Sequence, residues 1–233
     1  MAIPIFALLK EQLSYYRARA AEYDEWFYRQ GRYNRGKREN RIWFKEIAQV
    51  RKAVRTLPKM SSILEPACGT GLWTPLLLKL GQKVTAVDAS PEMLAIHRAR
   101  LGLQAKIEYH SVDLFNWTPQ RQWEMVFVSF WLSHVPGELI NRFLDQLCSW
   151  VSPGGYLFLL DSRYDPLSTA ADHRLGDLDA TIRVRKLNDG REFRIMKVFH
   201  SPEKLDSLIQ KAGFSGSASI TERFFMYGCY QKA

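Results

Sequence analysis

Apolar positions along this chain change period twice. From about Ile5 to Gln30 they recur every three or four residues, with Leu8, Leu9, Leu13, Tyr16, Ala20 and Tyr23 on one side, a spacing that predicts a helix. Gly31 to Gly36 interrupts it. A second helix is predicted over Arg38–Leu57, with Ile42, Trp43, Ile47, Val50 and Val54 on one face and Pro58 at its end. From Ser61 short apolar runs alternate with helical stretches. Strands are predicted at Ile63–Glu65, Lys83–Asp88, Ile107–His110, Met125–Phe130 and Tyr156–Asp161, and helices at Leu72–Leu80, Pro91–Leu101 and Glu138–Trp150. Such β–α alternation builds a parallel, doubly wound sheet whose ligands lie at the carboxyl ends of the strands.

The last third reads differently. Thr181–Leu187 and Arg191–Phe199 flank Asn188-Asp189-Gly190, a hairpin turn signal. A helix follows at Pro202–Ala212, with Ser201 as its N-cap. Strands near Ala218–Phe224 and Met226–Gln231 close the chain, and Asp165–Asp179 is the least patterned segment.

Composition narrows the class. At 233 residues, 46% hydrophobic and 24% charged, the chain has enough apolar surface for a real core. Cys68, Cys148 and Cys229 are far apart and form no CxxC pair, which argues against a disulfide framework and against a metal site. A reducing cytoplasm is the expected location. Met1–Leu9 lacks the basic leader and cleavage site of a signal peptide, and the longest apolar runs are too short to cross a bilayer. The net charge of +9 is concentrated: between Arg29 and Lys59 stand eleven lysines and arginines against only Glu39 and Glu46. That stretch is either a solvated helical face or a surface for an anionic substrate or nucleic acid.

The chemistry centres on Glu65-Pro66-Ala67-Cys68-Gly69-Thr70-Gly71, which joins a strand to a helix. Glycines there let the backbone approach a ligand closely. Seventeen residues beyond Gly71 the next strand ends in Asp88, where a carboxylate can accept both ribose hydroxyls. A dinucleotide fingerprint wants a third glycine where Thr74 stands, and Glu65 would repel a pyrophosphate. A nicotinamide oxidoreductase is therefore disfavoured. A cationic sulfonium ligand that also carries an ammonium group is favoured by a nearby acid.

At these residues the chain resembles the class I S-adenosylmethionine-dependent methyltransferase family, in its small-molecule branch, over about residues 61 to 233. Ile63-Leu64-Glu65 through Gly71 is similar to the family's first motif, and Val87-Asp88-Ala89-Ser90-Pro91-Glu92-Met93-Leu94 to its second-strand acid and helix start. Val112-Asp113-Leu114, Met125–Leu132 and Pro153-Gly154-Gly155-Tyr156-Leu157 are similar to its later segments. The resemblance implies a Rossmann-like α/β fold: a seven-stranded, mostly parallel sheet with helices on both faces. Residues 1–58 would form a helical cap, residues 59–233 the core, and residues 162–200 a loop and inserted antiparallel hairpin, all in one domain.

The resemblance also implies S-adenosylmethionine as cofactor, with S-adenosylhomocysteine as product. Gly69 and Gly71, after Ala67, would flank the methionine portion and ribose. Asp88 would hold the ribose hydroxyls, and Ala89 and Met93 would line the adenosine pocket. Asp113 would accept from the adenine amino group, with Leu114 beside the ring. Phe130 and Trp131 would border the reacting methyl, and Glu65 would organise the loop. In this family N-terminal helices often fold over the cofactor, which places Tyr16 there.

Methyl transfer needs alignment and exclusion of water, and a base only when the acceptor must first lose a proton. His134, just beyond the fourth strand, is the candidate base, against the alternative that it only packs or binds cofactor. Tyr23, Trp26 and His173 are the further candidates for contact with the acceptor. The expected acceptor is a small molecule, anionic or aromatic, methylated on oxygen or nitrogen. Two alternatives stay open: an RNA methyltransferase using the basic stretch, and a noncatalytic cofactor-binding protein. The sequence names neither the acceptor atom nor the oligomeric state.

Overall fold

The computed structural model describes residues 4–102, 106–173 and 176–233. Helix α1 (Ile5–Arg19) buries Leu8, Gln12, Tyr15 and Arg19, a single stripe at four-, three- and four-residue spacing. Two of those four are polar, which an ordinary core stripe would not carry. The expected continuation to Gln30 is broken. A 3₁₀ turn at Ala20–Glu22 leads into α2 (Tyr23–Tyr28), which ends at Arg29 in the left-handed conformation. The residues across the break are good helix formers, so packing overrides propensity here: Phe27 joins the core under the sheet, while Tyr15 packs with Leu187 and Ile195.

Helix α3 (Lys37–Arg55) buries Trp43, Ile47, Val50 and Val54, the expected face. Strand β1 (Met60–Pro66) starts earlier than its apolar run suggests, and α4 (Thr74–Leu77) is a single turn rather than the expected Leu72–Leu80 helix. Pro75 sets its start, since a proline cannot donate within a helix. Strand β2 (Gly81–Asp88), helix α5 (Pro91–Leu101) and strand β3 (Ile107–Ser111) follow, then β4 (Trp123–Ser129), α6 (Ile140–Trp150) and β5 (Val151–Ser162). Strands β6 (Ile182–Lys186) and β7 (Glu192–Met196) make the expected hairpin as a separate two-stranded sheet. Helix α7 (Pro202–Lys211), capped by Ser201, leads to β8 (Phe214–Ile220) and β9 (Phe225–Lys232).

The seven-stranded sheet has the order β3-β2-β1-β4-β5-β9-β8. Pairs from β3 through β5 are parallel, and β9 runs antiparallel to both neighbours. Two-residue periodicity divides the core: Val126 and Val128 of β4 pack with α6 and α7, while Met125 and Phe127 pack with α3 and α4. Strand β8 lies earlier than the expected Ala218–Phe224. It is an edge strand with serines at 215, 217 and 219, so its apolar signal is weak, and buried Phe224 belongs to the turn after it. No described helix is long and apolar enough to cross a membrane.

Candidate active site

The strand order reverses between β1 and β4, and a crevice opens outside their carboxyl ends. The first residues after these two strands are strained. Ala67 has φ 51° and Phe130 has φ 55°, values that residues with a Cβ rarely adopt. Such strain clusters at ligand sites.

A cavity of about 380 Å³ fills the crevice. Ala67, Gly69, Asp88, Ala89 and Met93 line it, together with Asp113, Leu114, Phe130 and Trp131. Leu9, Gln12, Leu13, Tyr16 and Tyr23 roof it from the N-terminal segment. Two expected cofactor residues lie outside it. Glu65 is buried beneath the loop and accepts a hydrogen bond from the Thr74 hydroxyl at 2.6 Å, which is the use of a threonine where a dinucleotide site would carry glycine. Gly71, at φ +81°, sits against His97, whose ring would lie 2.8 Å from an added Cβ. It closes the loop onto α5 rather than facing the cavity.

The acids of this cavity have no lysine or arginine partner among the described residues. Asp88 accepts from the amides of Gly69 and Ser90, both at 2.9 Å. Burial still raises it to about 6, against the lowering effect of those amides. Asp113 accepts from the Phe115 amide at 3.0 Å and from Asn116 at 2.9 Å. Burial raises Glu65 to about 8, against the Thr74 hydrogen bond. Uncompensated acids and an apolar slot made by Met93, Leu114 and Phe143 fit a cationic ligand with a flat heterocycle.

A second, smaller cavity of about 70 Å³ adjoins the first. Tyr16, Tyr23 and Phe130 line both and form the wall between them. The candidates Tyr23, Trp26, His134 and His173 all border this chamber. So do Arg19, Arg185 and Lys197, which sequence reasoning missed.

These cations are buried to 9%, 8% and 7% exposure, respectively, where charged side chains are rare unless paired. Lys197 is paired: it donates to Ser133 at 2.6 Å and to Asp161 at 3.2 Å. Burial would raise Asp161, but Lys197, His134 and Ser133 hold it below its usual value. Arg19 and Arg185 have no carboxylate partner among the described residues. Arg19 lies over the rings of Tyr23, Tyr15 and Tyr33 and donates to the Tyr33 hydroxyl at 3.2 Å. Its Nε, the Nη1 of Arg185 and the Tyr15 hydroxyl have no hydrogen-bond partner among the described residues.

His134 is buried and neutral, lowered to about 3 by burial and by Lys197. His173 is lowered to about 4 by burial and by Arg185. Among the described residues no cluster of three or more histidine, cysteine or acidic side chains is spaced to hold a metal ion.

No sequence signal marked the missed arginines, because the alternation Ile182-Arg183-Val184-Arg185 predicts the arginines outside and the strand is turned the other way. Along β6, Ile182 and Val184 face solvent while Arg183 and Arg185 face inward. An alternating strand with its polar side buried needs a polar partner there.

Comparison with known proteins agrees with this geometry. Residues 63–155 match the family described as "Methyltransferase domain". The structure of DhpI in complex with SAH is 35% identical, covers 97% of both chains and superposes with a TM-score of 0.76. The DhpI–SAM–HEP complex is 36% identical, covers 96% of this chain and 97% of that one, and also has a TM-score of 0.76. The N-methyltransferase NodS from Bradyrhizobium japonicum WM9, with SAH, shares the fold at 14% identity over 95% of this chain and 98% of that one (TM-score 0.67). A ubiquinone biosynthesis O-methyltransferase from Xanthomonas axonopodis pv. citri is 27% identical over 69% of this chain and 65% of that protein. The chain spans 65%, 61% and 36% of the length of the first three curated relatives it matches.

Proposed function

The chain belongs to the class I S-adenosylmethionine-dependent methyltransferase family, and from that premise we propose that it methylates an oxygen of a small oxyanion held in the chamber beyond Tyr16. The observation that carries this is the pair of buried guanidiniums, Arg19 and Arg185, with no carboxylate partner among the described residues and with orphaned N–H groups. An unpaired buried charge is costly, and an anion is what relieves it. Guanidinium forks match carboxylate and phosphate oxygens in shape as well as charge.

When bound in the larger cavity, S-adenosylmethionine supplies a methyl group on a cationic sulfur, open to in-line displacement. The residues of this chain divide the rest of the work. Asp88 and Asp113 hold the donor's ribose and adenine; Ala67, Gly69 and Trp131 border its methionine end. Tyr16, Tyr23 and Phe130 stand at the boundary across which the methyl passes. Arg19 and Arg185 hold and orient the anion, and the cap excludes water. An oxyanion is already a nucleophile, so His134 is not needed as a base, in keeping with its buried, neutral state. The DhpI–SAM–HEP complex unites that protein with two further components, as two adjoining cavities would. A chamber of about 70 Å³ is too small for a nucleotide, which disfavours RNA as acceptor.

The test is incubation with S-adenosylmethionine and a panel of small carboxylates, phosphates and other oxyanions, matched to neutral alcohols and amines of similar size. Mass spectrometry should find S-adenosylhomocysteine together with the methyl ester of an acid. Turnover of a neutral amine with no acid accepted would sink the proposal.

A further inference from the structure

Four acids stand between Ile5 and Tyr28, and they divide by partner. Three face the hairpin: Glu11 pairs with Arg194, Glu22 accepts from the Asn188 amide, and Glu25 accepts from the Asn188 side chain. The fourth, Asp24, is bonded to the donor half of the molecule. It accepts from the Thr70 hydroxyl at 2.6 Å and pairs with Arg100 of α5. Thr70 stands between Gly69 and Gly71 in the glycine loop and is 1% exposed. A hydroxyl buried so deeply needs its partner.

The acceptor wall hangs on this bridge. Tyr23 precedes Asp24, and a Cβ built on Gly69 would lie 3.9 Å from its ring. Trp26 follows two residues later and packs edge-on against Phe130, with ring centroids 4.8 Å apart. Arg19 lies over the Tyr23 ring at 4.9 Å. The hairpin that carries Arg185 is packed on the cap in turn: Tyr15 meets Leu187 and Ile195, and Gln12 accepts from the Met196 amide at 2.9 Å. Both unpaired guanidiniums of the acceptor chamber thus belong to the cap and hairpin, whereas Asp88 ends a strand of the large sheet.

A misplacement of about 1 Å between reactants costs a transfer reaction up to about 100-fold. We propose that Asp24 is a positioning residue: shared between Thr70 and Arg100, its carboxylate registers the cap on the donor loop and so sets the distance from the donor's methyl group to the anion held by Arg19 and Arg185. Asp24 lines neither cavity and acts through Tyr23, Trp26 and Arg19. The registration rests on the donor site alone; its effect on transfer rests on the oxyanion reading above.

The test compares Thr70→Val, which keeps the shape of the side chain and removes its hydroxyl, with Thr70→Ser, which keeps the hydroxyl. Hydrogen exchange of the full-length protein with bound S-adenosylhomocysteine is followed by mass spectrometry. Amides of residues 20–28 should exchange about tenfold faster in Thr70→Val than in the wild type, the scale of losing a hydrogen bond to a charged group. Those of β4 and β5 should not change. S-adenosylhomocysteine should leave Thr70→Val about tenfold faster in stopped flow, because Tyr16 and Tyr23 roof its cavity. With an acid that the protein accepts, kcat at saturating donor and acid should fall about tenfold or more. Thr70→Ser should match the wild type in all three. Arg100→Gln weakens the bridge from its partly exposed side and should shift them the same way by about two- to threefold. A melting curve checks that each variant is folded.

Unchanged exchange and dissociation in Thr70→Val overturn the assignment. So does a Thr70→Ser protein that behaves like Thr70→Val, since the effect would then belong to loop shape and not to the hydroxyl. A loosened cap with full turnover overturns the positioning role. Exchange and dissociation as expected, with no acid of the panel turned over, uphold the registration and refute only the oxyanion.

Discussion

The two cavities share three side chains and differ in the charge they bury. The larger has Asp88 and Asp113 in its inner lining and Glu65 beneath, and the cations that also line it, Lys10 and Arg142, are exposed. The smaller gathers Arg19, Arg185 and Lys197 against a single acid, Asp161. Opposite fields a few ångströms apart suit a reaction between a cation and an anion, since each cavity draws in its own reactant and disfavours the other. The thin wall of Tyr16, Tyr23 and Phe130 is where those fields meet.

The largest way to break this contrast is to discharge the smaller chamber. Arg185→Met should lower kcat/KM for an accepted acid by about 1,000-fold or more, the scale expected when one partner of a buried charge pair is removed. Calorimetric affinity for S-adenosylmethionine should stay within about threefold. The melting temperature of the ligand-free protein should hold or rise, because an unpaired guanidinium leaves the interior. A parallel loss of both affinities would mean that the two cavities are not independent.

The cavities also differ in how much of each the sequence disclosed. Beneath its lining from the cap and α6, the donor cavity is built from short contiguous segments, each at a strand end: Ala67–Gly69, Asp88–Met93, Asp113–Leu114 and Phe130–Trp131. Strand periodicity finds those ends, and glycine and aspartate at them have few other uses. The acceptor chamber is assembled from the cap, the turn after β4, the end of β5, the 168–173 loop and the hairpin. Nothing local in the sequence ties Arg19 to Arg185. Even the hairpin pattern misleads, because its apolar Ile182 and Val184 point out and its arginines point in. The sheet was legible because buried parallel strands are apolar runs. Strand β8, a serine-rich edge, and α4, a single turn whose start Pro75 sets, were not.

The donor side responds to its own substitutions. Asp88→Asn should weaken S-adenosylmethionine about 10- to 100-fold by calorimetry, the range for losing hydrogen bonds to a charged group. Turnover at saturating cofactor should change only a few-fold, since the acceptor chamber is untouched. A variant with normal cofactor affinity would remove Asp88 from the ribose site.

Glu65 gives a smaller, pH-dependent effect. Its carboxyl is raised to about 8 in the fold from an ordinary 4.5, so the folded protein holds the proton more tightly than the unfolded chain. Stability from this group is complete below about pH 4.5 and is lost as pH rises through about 8. Between pH 6 and pH 8 that loss is roughly 2 kcal/mol. Glu65→Gln should therefore melt later than the wild type at pH 8 and together with it near pH 5, in the absence of cofactor. Melting curves that stay parallel across this range would show that the carboxylate is not desolvated.

The smallest effect concerns the basic stretch, which divides in the same inward and outward sense. Arg29 donates to the carbonyl of Leu167 at 2.6 Å, Arg35 to those of Thr169 and Ala170 at 3.1 and 3.0 Å, and Trp26 to Ser168 at 2.9 Å. These groups clasp the loop that supplies Ser168 and Thr169 to the acceptor chamber. The two acids of α3 also turn inward, Glu39 to Arg223 and Glu46 to the amides of Arg223 and Phe224. Arg38, Arg41 and Lys45 are left exposed on α3 and line neither of the two cavities. Solvent screens such charges. Arg38→Gln, Arg41→Gln and Lys45→Gln together should leave turnover and cofactor affinity within about twofold. Loss of turnover in that triple variant, with RNA binding that falls steeply as salt rises, would return nucleic acid to the acceptor position. Unchanged turnover confines the working charge of the N-terminal segment to its inward residues, with Arg19 on the anion and Arg29 and Arg35 on the wall around it.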